Sequence, residues 1–173
     1  LRLGKSTIEA IENMEPPDTS GSLSSSPTTD SATEPPAVRS PNPSVLIVDD
    51  VELSRTLLRQ FLAHTIFETD EAENGAVAVA MAKHRKYDFI LMDLLMPEMD
   101  GFEAMRNIRM WEESRGLEPA CVIITVTAWE LKEAVPECFE SGADMHLTKP
   151  ITKEKLLEVL SAQWSRIAAR PRP

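Results

Sequence analysis

Five polar residues stand where short apolar runs stop. Asp49 and Asp50 follow VLIV, Asp93 follows FILM, Thr127 lies at the end of CVIITVTA, and Lys149 closes the run from Ala143 to Thr148. A carboxylate among buried side chains costs several kcal/mol unless something compensates its charge. Three carboxylates brought together would also repel one another strongly. A hard divalent cation with oxygen ligands resolves both conflicts. Mg²⁺ fits best, since it accepts one or two carboxylates together with waters and phosphate oxygens. Lys149 adds a positive charge and Thr127 a hydroxyl. A carboxylate in that company is equipped to accept a phosphoryl group: the cation and the lysine neutralise the equatorial oxygens while Asp93 attacks in line. The competing reading of any single aspartate here is a cap, and Asp50 is placed to cap a helix beginning near Glu52.

That chemistry needs elements that bring the five residues together. From Pro43 onward, short apolar runs alternate with longer amphipathic ones. VLIVDD, rich in β-branched residues, suits a central parallel strand buried on both faces. Leu53, Leu57, Leu58, Phe61 and Leu62 then share a helical face. Ile66 to Glu71 reads as a second strand, and Asn74-Gly75 leads into a helix with Val77, Ala80, Met81 and His84. DFILMD is the third strand. The helix after Gly101 buries Phe102, Met105, Ile108 and Met110. CVIITVTA is the fourth strand, and Trp129 to Glu140 a helix bent or interrupted by Pro136. Ala143 to Thr148 is the fifth strand. A last helix from about Thr152 carries Leu156, Leu157, Leu160, Trp164 and Ile167.

Alternating strands and helices predict a doubly wound α/β fold, flavodoxin-like, with five parallel strands in the order 2-1-3-4-5 between two helical layers. The carboxyl ends of such strands lie along one edge, and ligands bind where the strand order reverses, between strands one and three. The fold alone would gather Asp49, Asp50, Asp93, Thr127 and Lys149.

The rest of the chain narrows the function class. Its formal charge of −10 argues against binding nucleic acid through an overall positive field, but leaves protein partners open. Cys121 and Cys138 make neither a metal-type spacing nor a disulfide framework and read as core residues. His64, His84 and most methionines read as packing or surface. No run is long and apolar enough to span a bilayer, and no signal-peptide pattern opens the chain, so a reducing, cytoplasmic setting is expected. Residues 1–15 read as a short helix or the remnant of an upstream domain. Gly4-Lys5-Ser6 ends like a phosphate-binding loop but lacks the preceding glycine and strand. Residues 16–44, dominated by Ser, Thr and Pro, read as a disordered linker, and 168–173 as a disordered tail.

The region 45–167 resembles the receiver domain of two-component response regulators. The motifs that carry the resemblance are Asp49-Asp50, D-x-x-M-P-x-x-D-G from Asp93 to Gly101, Thr127-Ala128 and Lys149-Pro150. The resemblance implies that Asp93 is the phosphoacceptor, taking its group from a phosphohistidine on a histidine kinase or histidine phosphotransfer domain. It implies Mg²⁺ held by Asp49, Asp50, Asp93 and the backbone carbonyl of Leu95, with Thr127 and Lys149 on the phosphoryl oxygens. The Lys149-Pro150 bond is usually cis in the family. Thr127 would couple to the switch position on strand five, here His146 instead of the usual Tyr or Phe, and would signal to a downstream protein through helix four, strand five and helix five. Bulky Leu95 and Trp129 flank the acceptor and imply slow self-dephosphorylation by excluding water. The chain would then be a signalling switch and not an enzyme.

Rival readings fit less well. A phosphatase of the haloacid dehalogenase type needs a second aspartate two residues past the first, where Leu95 stands. A flavodoxin-like electron carrier needs a Ser/Thr/Gly-rich loop after strand one, where DDVELS is acidic. A degenerate receiver, used only for interaction, would not keep all five residues. Two contexts remain open: a single-domain regulator with a disordered arm, or the C-terminal receiver of a hybrid sensor kinase. The segment WEESRGLEPA resembles the latter.

Overall fold

The computed structural model describes residues 42–117, 121–128 and 133–168. Along them run β1 (Ser44–Val48), α1 (Glu52–Leu62), β2 (Glu68–Ala72), α2 (Gly75–His84), β3 (Phe89–Met92), α3 (Gly101–Ser114), β4 (Val122–Ala128), α4 (Val135–Glu140), β5 (Met145–Lys149) and α5 (Lys153–Ala168). The strands form one parallel sheet in the expected order, β2-β1-β3-β4-β5.

Side chains alternate across the sheet and build two cores. Leu46, Val48, Ile90, Met92 and Ile123 pack with α2, α3 and Cys138 of α4. Val45, Ile47, Phe89, Leu91, Ile124, Val126 and Leu147 pack with Leu58 and Leu62 of α1 and Leu156, Val159 and Leu160 of α5. Each fully buried side chain of this size contributes about 1.5–3 kcal/mol by leaving water. Both cysteines are buried and free, and burial pushes their thiols up, so they are core residues as expected.

Several expected helical faces are narrower than the apolar pattern. Leu53 and Leu57 are exposed, because the apolar arc of α1 is wider than the strip the sheet covers. Met110 is exposed as well: it stands two residues, roughly 200° of helix rotation, from buried Ile108. In α2 the buried set is Gly75, Ala78, Val79 and Ala82, while Ala80 and His84 face water. Of the helix expected from Trp129 to Glu140, residues 129–132 lie outside the described residues, and Pro136 belongs to α4. It stands in the first turn of α4, where its missing N–H would have no partner in any case.

Strand β5 starts at Met145 and not Ala143, because residues 141–143 close α4. The amides of Gly142 and Ala143 donate to the carbonyls of Phe139 and Cys138 at 3.1 and 3.0 Å, a Schellman ending. Gly142 takes φ +108°, which a side chain would strain. Strand β2 begins at Glu68, leaving Ile66 exposed before it. Residues 1–41, Trp129 and the tail beyond Ala168 lie outside the described residues, so the expected N-terminal helix and most of the linker do too.

Candidate functional site

The sheet gathers the five polar residues at its carboxyl edge: Asp49 and Asp93 directly follow β1 and β3, Thr127 and Lys149 lie in the last two residues of β4 and β5, and Asp50 follows Asp49. One carboxylate oxygen from each of Asp49, Asp50 and Asp93 lies within 4.8 Å of the others. The Lys149 ammonium reaches across β4 and β3 to sit 2.7 Å from Asp49 Oδ2 and 3.3 Å from Asp93 Oδ2. Three carboxylates against one ammonium leave the site with two negative charges in excess. A site for a divalent ion is therefore chemically apt, and the donor set, all oxygen, is the one Mg²⁺ takes.

Burial sharpens the electrostatics. Asp49 is 1% exposed, and its other oxygen accepts the Val51 amide at 2.9 Å. Asp93 is half-buried, and its Oδ1 accepts the Leu94 amide at 2.9 Å. Burial pushes the Asp93 carboxyl above the ordinary carboxylate range. The Lys149 charge pulls it back, and the neighbouring Asp49 carboxylate adds to the push. Burial works against the Lys149 ammonium, but its bond to Asp49 and the charges of Asp93 and Asp49 outweigh that and hold it above the ordinary lysine value. Asp50 is exposed and does not cap α1: the N-cap position is Val51, without a side-chain bond. The capping reading of Asp50 is thereby overturned.

Thr127 is fully buried, and among the described residues its hydroxyl finds no hydrogen-bond partner. A buried hydroxyl left unpaired at the edge of an acidic pocket is suited to an oxygen-rich ligand. His146 lies on the same sheet face, opposite Thr125, and among the described residues no hydrogen bond joins it to Thr127. Its Nδ1 is 3.0 Å from Thr125 Oγ1 and its Nε2 3.2 Å from the hydroxyl of Thr148, the register partner of Thr127. Burial pulls the imidazole below its ordinary value, towards the neutral ring. The Lys149-Pro150 peptide is cis. Leu95 is exposed in the loop after Asp93, and Trp129 lies outside the described residues.

The loop from Leu94 to Asp100 is fixed at both ends. Gly101 donates to the Leu94 carbonyl at 2.9 Å, and a Cβ at Gly101 would collide with the Asp93 carbonyl oxygen, so only glycine lets α3 start there. Asn74, whose Oδ1 caps α2 at the Val77 amide, donates to Glu98 Oε2 at 2.7 Å; Gly75 donates to the Met99 carbonyl at 3.1 Å. These ties are invisible in the sequence, and sequence reasoning also missed Arg55, whose Nη1 donates to the Asp49 carbonyl at 2.6 Å. A signal for Arg55 exists: it precedes Leu58 and Leu62 by three and seven residues, on the stripe of α1 that faces inward.

Residues 45–161 match the family model described as the response regulator receiver domain. The chemotaxis protein CheY of Halobacterium salinarum is 37% identical over 117 residues, 68% of this chain and 92% of that protein. The sensor protein GacS of Pseudomonas syringae pv. syringae is 34% identical over 135 residues, 78% of this chain and 15% of that one. The solved receiver domain of sensor histidine kinase PA1611 from Pseudomonas aeruginosa PAO1 holds a magnesium ion in its active site cleft. It is similar with a TM-score of 0.63 at 29% identity, covering 72% of this chain and 98% of that one. The chain spans 7% to 44% of the longer curated relatives it matches.

Proposed function

Because this chain belongs to the response regulator receiver family of two-component signalling, we propose that Asp93 is its phosphoacceptor and that a phosphohistidine of a histidine kinase or phosphotransfer domain is the donor. The observation that carries the reading is the charge imbalance at the sheet edge: three carboxylates within 4.8 Å against the single ammonium of Lys149. Asp49, Asp50 and Asp93, with the backbone carbonyl of Leu95, would hold Mg²⁺. When bound, that ion supplies positive charge beside the phosphoryl oxygens and lowers the repulsion an anionic donor meets.

The residues of the chain divide the remaining work. An Asp93 carboxylate oxygen attacks phosphorus; the P–O bond forms as the P–N bond to the donor imidazole breaks, and the bond pair stays on the ring nitrogen, which takes a proton. Lys149 turns part of its charge from Asp93 Oδ2 to a phosphoryl oxygen. The Thr127 hydroxyl donates to another, a bond for which it has no competing partner among the described residues. Drawing Thr127 towards the phosphoryl group disturbs the Thr148–His146–Thr125 chain beside it. That biases the α4–β5–α5 surface, which a downstream protein reads.

Incubation with acetyl phosphate tests the proposal. Wild type should gain a phosphoryl group only with Mg²⁺ present, and Asp93→Asn should gain none. Mg²⁺-independent labelling, or labelling that survives Asp93→Asn, would refute it.

A further inference from the structure

Arg55 takes no part in the phosphoryl chemistry, yet its side chain bonds directly to the backbone of the site, at the Asp49 carbonyl. Its side chain is only 12% exposed, so the guanidinium has lost most of its water. It is held on two sides. Nε donates to Glu71 Oε2 of β2 at 3.3 Å, and Nη1 donates to the Asp49 carbonyl at 2.6 Å. The other oxygen of Glu71 takes Arg59 Nε at 2.8 Å, so one carboxylate braces two arginines a turn apart on α1.

The Asp49 carbonyl lies one residue past the end of β1, where the strand ladder no longer constrains it. That carbonyl belongs to the peptide joining Asp49 to Asp50, and the plane of this peptide sets the direction of the Asp50 side chain. Among the described residues no hydrogen bond holds the Asp50 carboxylate, and Asp50 caps no helix. The guanidinium is the group on hand to fix that peptide.

We propose that Arg55, braced by Glu71, is a positioning residue of the metal site: it locks the Asp49–Asp50 peptide so that both carboxylates meet the cation without rearranging. The proposal rests on the reading that Asp49, Asp50 and Asp93 hold Mg²⁺. It opposes the plain electrostatic expectation, which makes the test decisive. A guanidinium close to the carboxylates repels an arriving cation, so removing its charge alone should tighten Mg²⁺ binding. Loss of positioning should weaken it. Arg55→Lys keeps the charge but lacks the planar fork that bonds Glu71 and the Asp49 carbonyl from separate nitrogens, so any weakening there is positional.

The experiment is calorimetric titration of the full chain with Mg²⁺ alone, together with amide NMR of the metal-free protein. Arg55→Met should raise the Mg²⁺ Kd by about 10-fold and Arg55→Lys by about 3-fold, in the range for groups that orient metal ligands. The Asp50 amide resonance should move and broaden in both variants before any metal is added. If Arg55→Met does not fold, Arg55→Lys decides the question by itself. A Kd within 2-fold of wild type in Arg55→Lys, or tighter binding in a folded Arg55→Met, overturns the proposal while leaving the metal reading intact. Wild type that binds no Mg²⁺ overturns the metal reading itself, and this proposal with it.

Discussion

The two edges of the sheet handle charge in opposite ways. At the amino ends of β4 and β5, Arg109 donates to the Gly142 carbonyl, to Glu112, to the Cys121 carbonyl and to Asp144. Glu112, itself buried, spends its second oxygen on the Cys121 amide, and Asp144 accepts the Ile123 amide as well. The guanidinium fork and both oxygens of Glu112 are satisfied by protein, and Asp144, half exposed, adds a second counter-charge. At the carboxyl edge one ammonium serves two carboxylates, a third aspartate stands exposed, and the buried Thr127 hydroxyl has no partner among the described residues. A satisfied network holds elements together, whereas an incomplete one is held in readiness for something to complete it.

Cutting each network at its cation should expose the difference. Arg109→Leu leaves Glu112 buried without its partner and should cost about 3 kcal/mol, with no recovery on adding Mg²⁺. Lys149→Met strips buried Asp49 of its ammonium. Lys149 keeps some water, so about 2 kcal/mol is expected. Mg²⁺ should restore much of that second loss by taking the place of the ammonium as counter-charge. Denaturant unfolding with and without Mg²⁺ measures both. Equal Mg²⁺ responses in the two variants would erase the distinction between the edges.

A smaller effect of opposite sign is expected at Asp93. Its carboxyl titrates above the ordinary range because it is buried, with Lys149 only partly offsetting this and Asp49 reinforcing it. A carboxyl raised in the fold gives its full stabilisation below its unfolded pKa, about 3.9, and loses it as pH rises through the raised value. At neutral pH the ionised Asp93 therefore strains the fold. Asp93→Asn should stabilise the metal-free protein by about 1 kcal/mol, the scale of two like charges 4 Å apart in water. Thermal unfolding from pH 4 to pH 8 should show this advantage growing with pH and shrinking when Mg²⁺ is added to both proteins. A metal-free Asp93→Asn less stable than wild type at pH 7 would mean that the ion pair with Lys149 outweighs the repulsion.

How much of this is legible in the sequence depends on whether the signal is local. VLIVDD and DFILMD announce buried strands that end in carboxylates because four apolar residues in a row have few other uses. The alternation of strands and helices then implies a parallel sheet whose carboxyl ends share one edge, and with it the meeting of Asp49, Asp93 and Lys149. Residues whose roles depend on cross-chain partners stay hidden. Glu112 reads as a solvent-facing helix residue until Arg109 and the Cys121 amide are seen around it. Asn74 reads as a helix start, and only the fold gives its amide the Glu98 carboxylate. The expected burial of Met110 fails for the reverse reason: an apolar side chain says that it can be buried, not that the helix rotates it inward.

The smallest expected change in stability falls on the residue with the least to lose. Thr127→Val keeps the shape and the β-branched backbone preference of a strand residue, and removes a hydroxyl that is buried without a partner among the described residues. Deleting an unsatisfied polar group costs nothing in lost bonds and relieves its desolvation, so the midpoint of unfolding should shift by less than about 0.5 kcal/mol, or rise. Phosphoryl transfer from acetyl phosphate should nevertheless slow by roughly 10- to 100-fold, since the hydroxyl is proposed to act only when a phosphoryl oxygen arrives. A residue that matters to the reaction and not to the fold is what an incomplete network should contain. If Thr127→Val instead destabilises by about 1–2 kcal/mol while the transfer rate holds, within the usual range for a lost structural hydrogen bond, the hydroxyl serves the fold, and the carboxyl edge is as closed as the other.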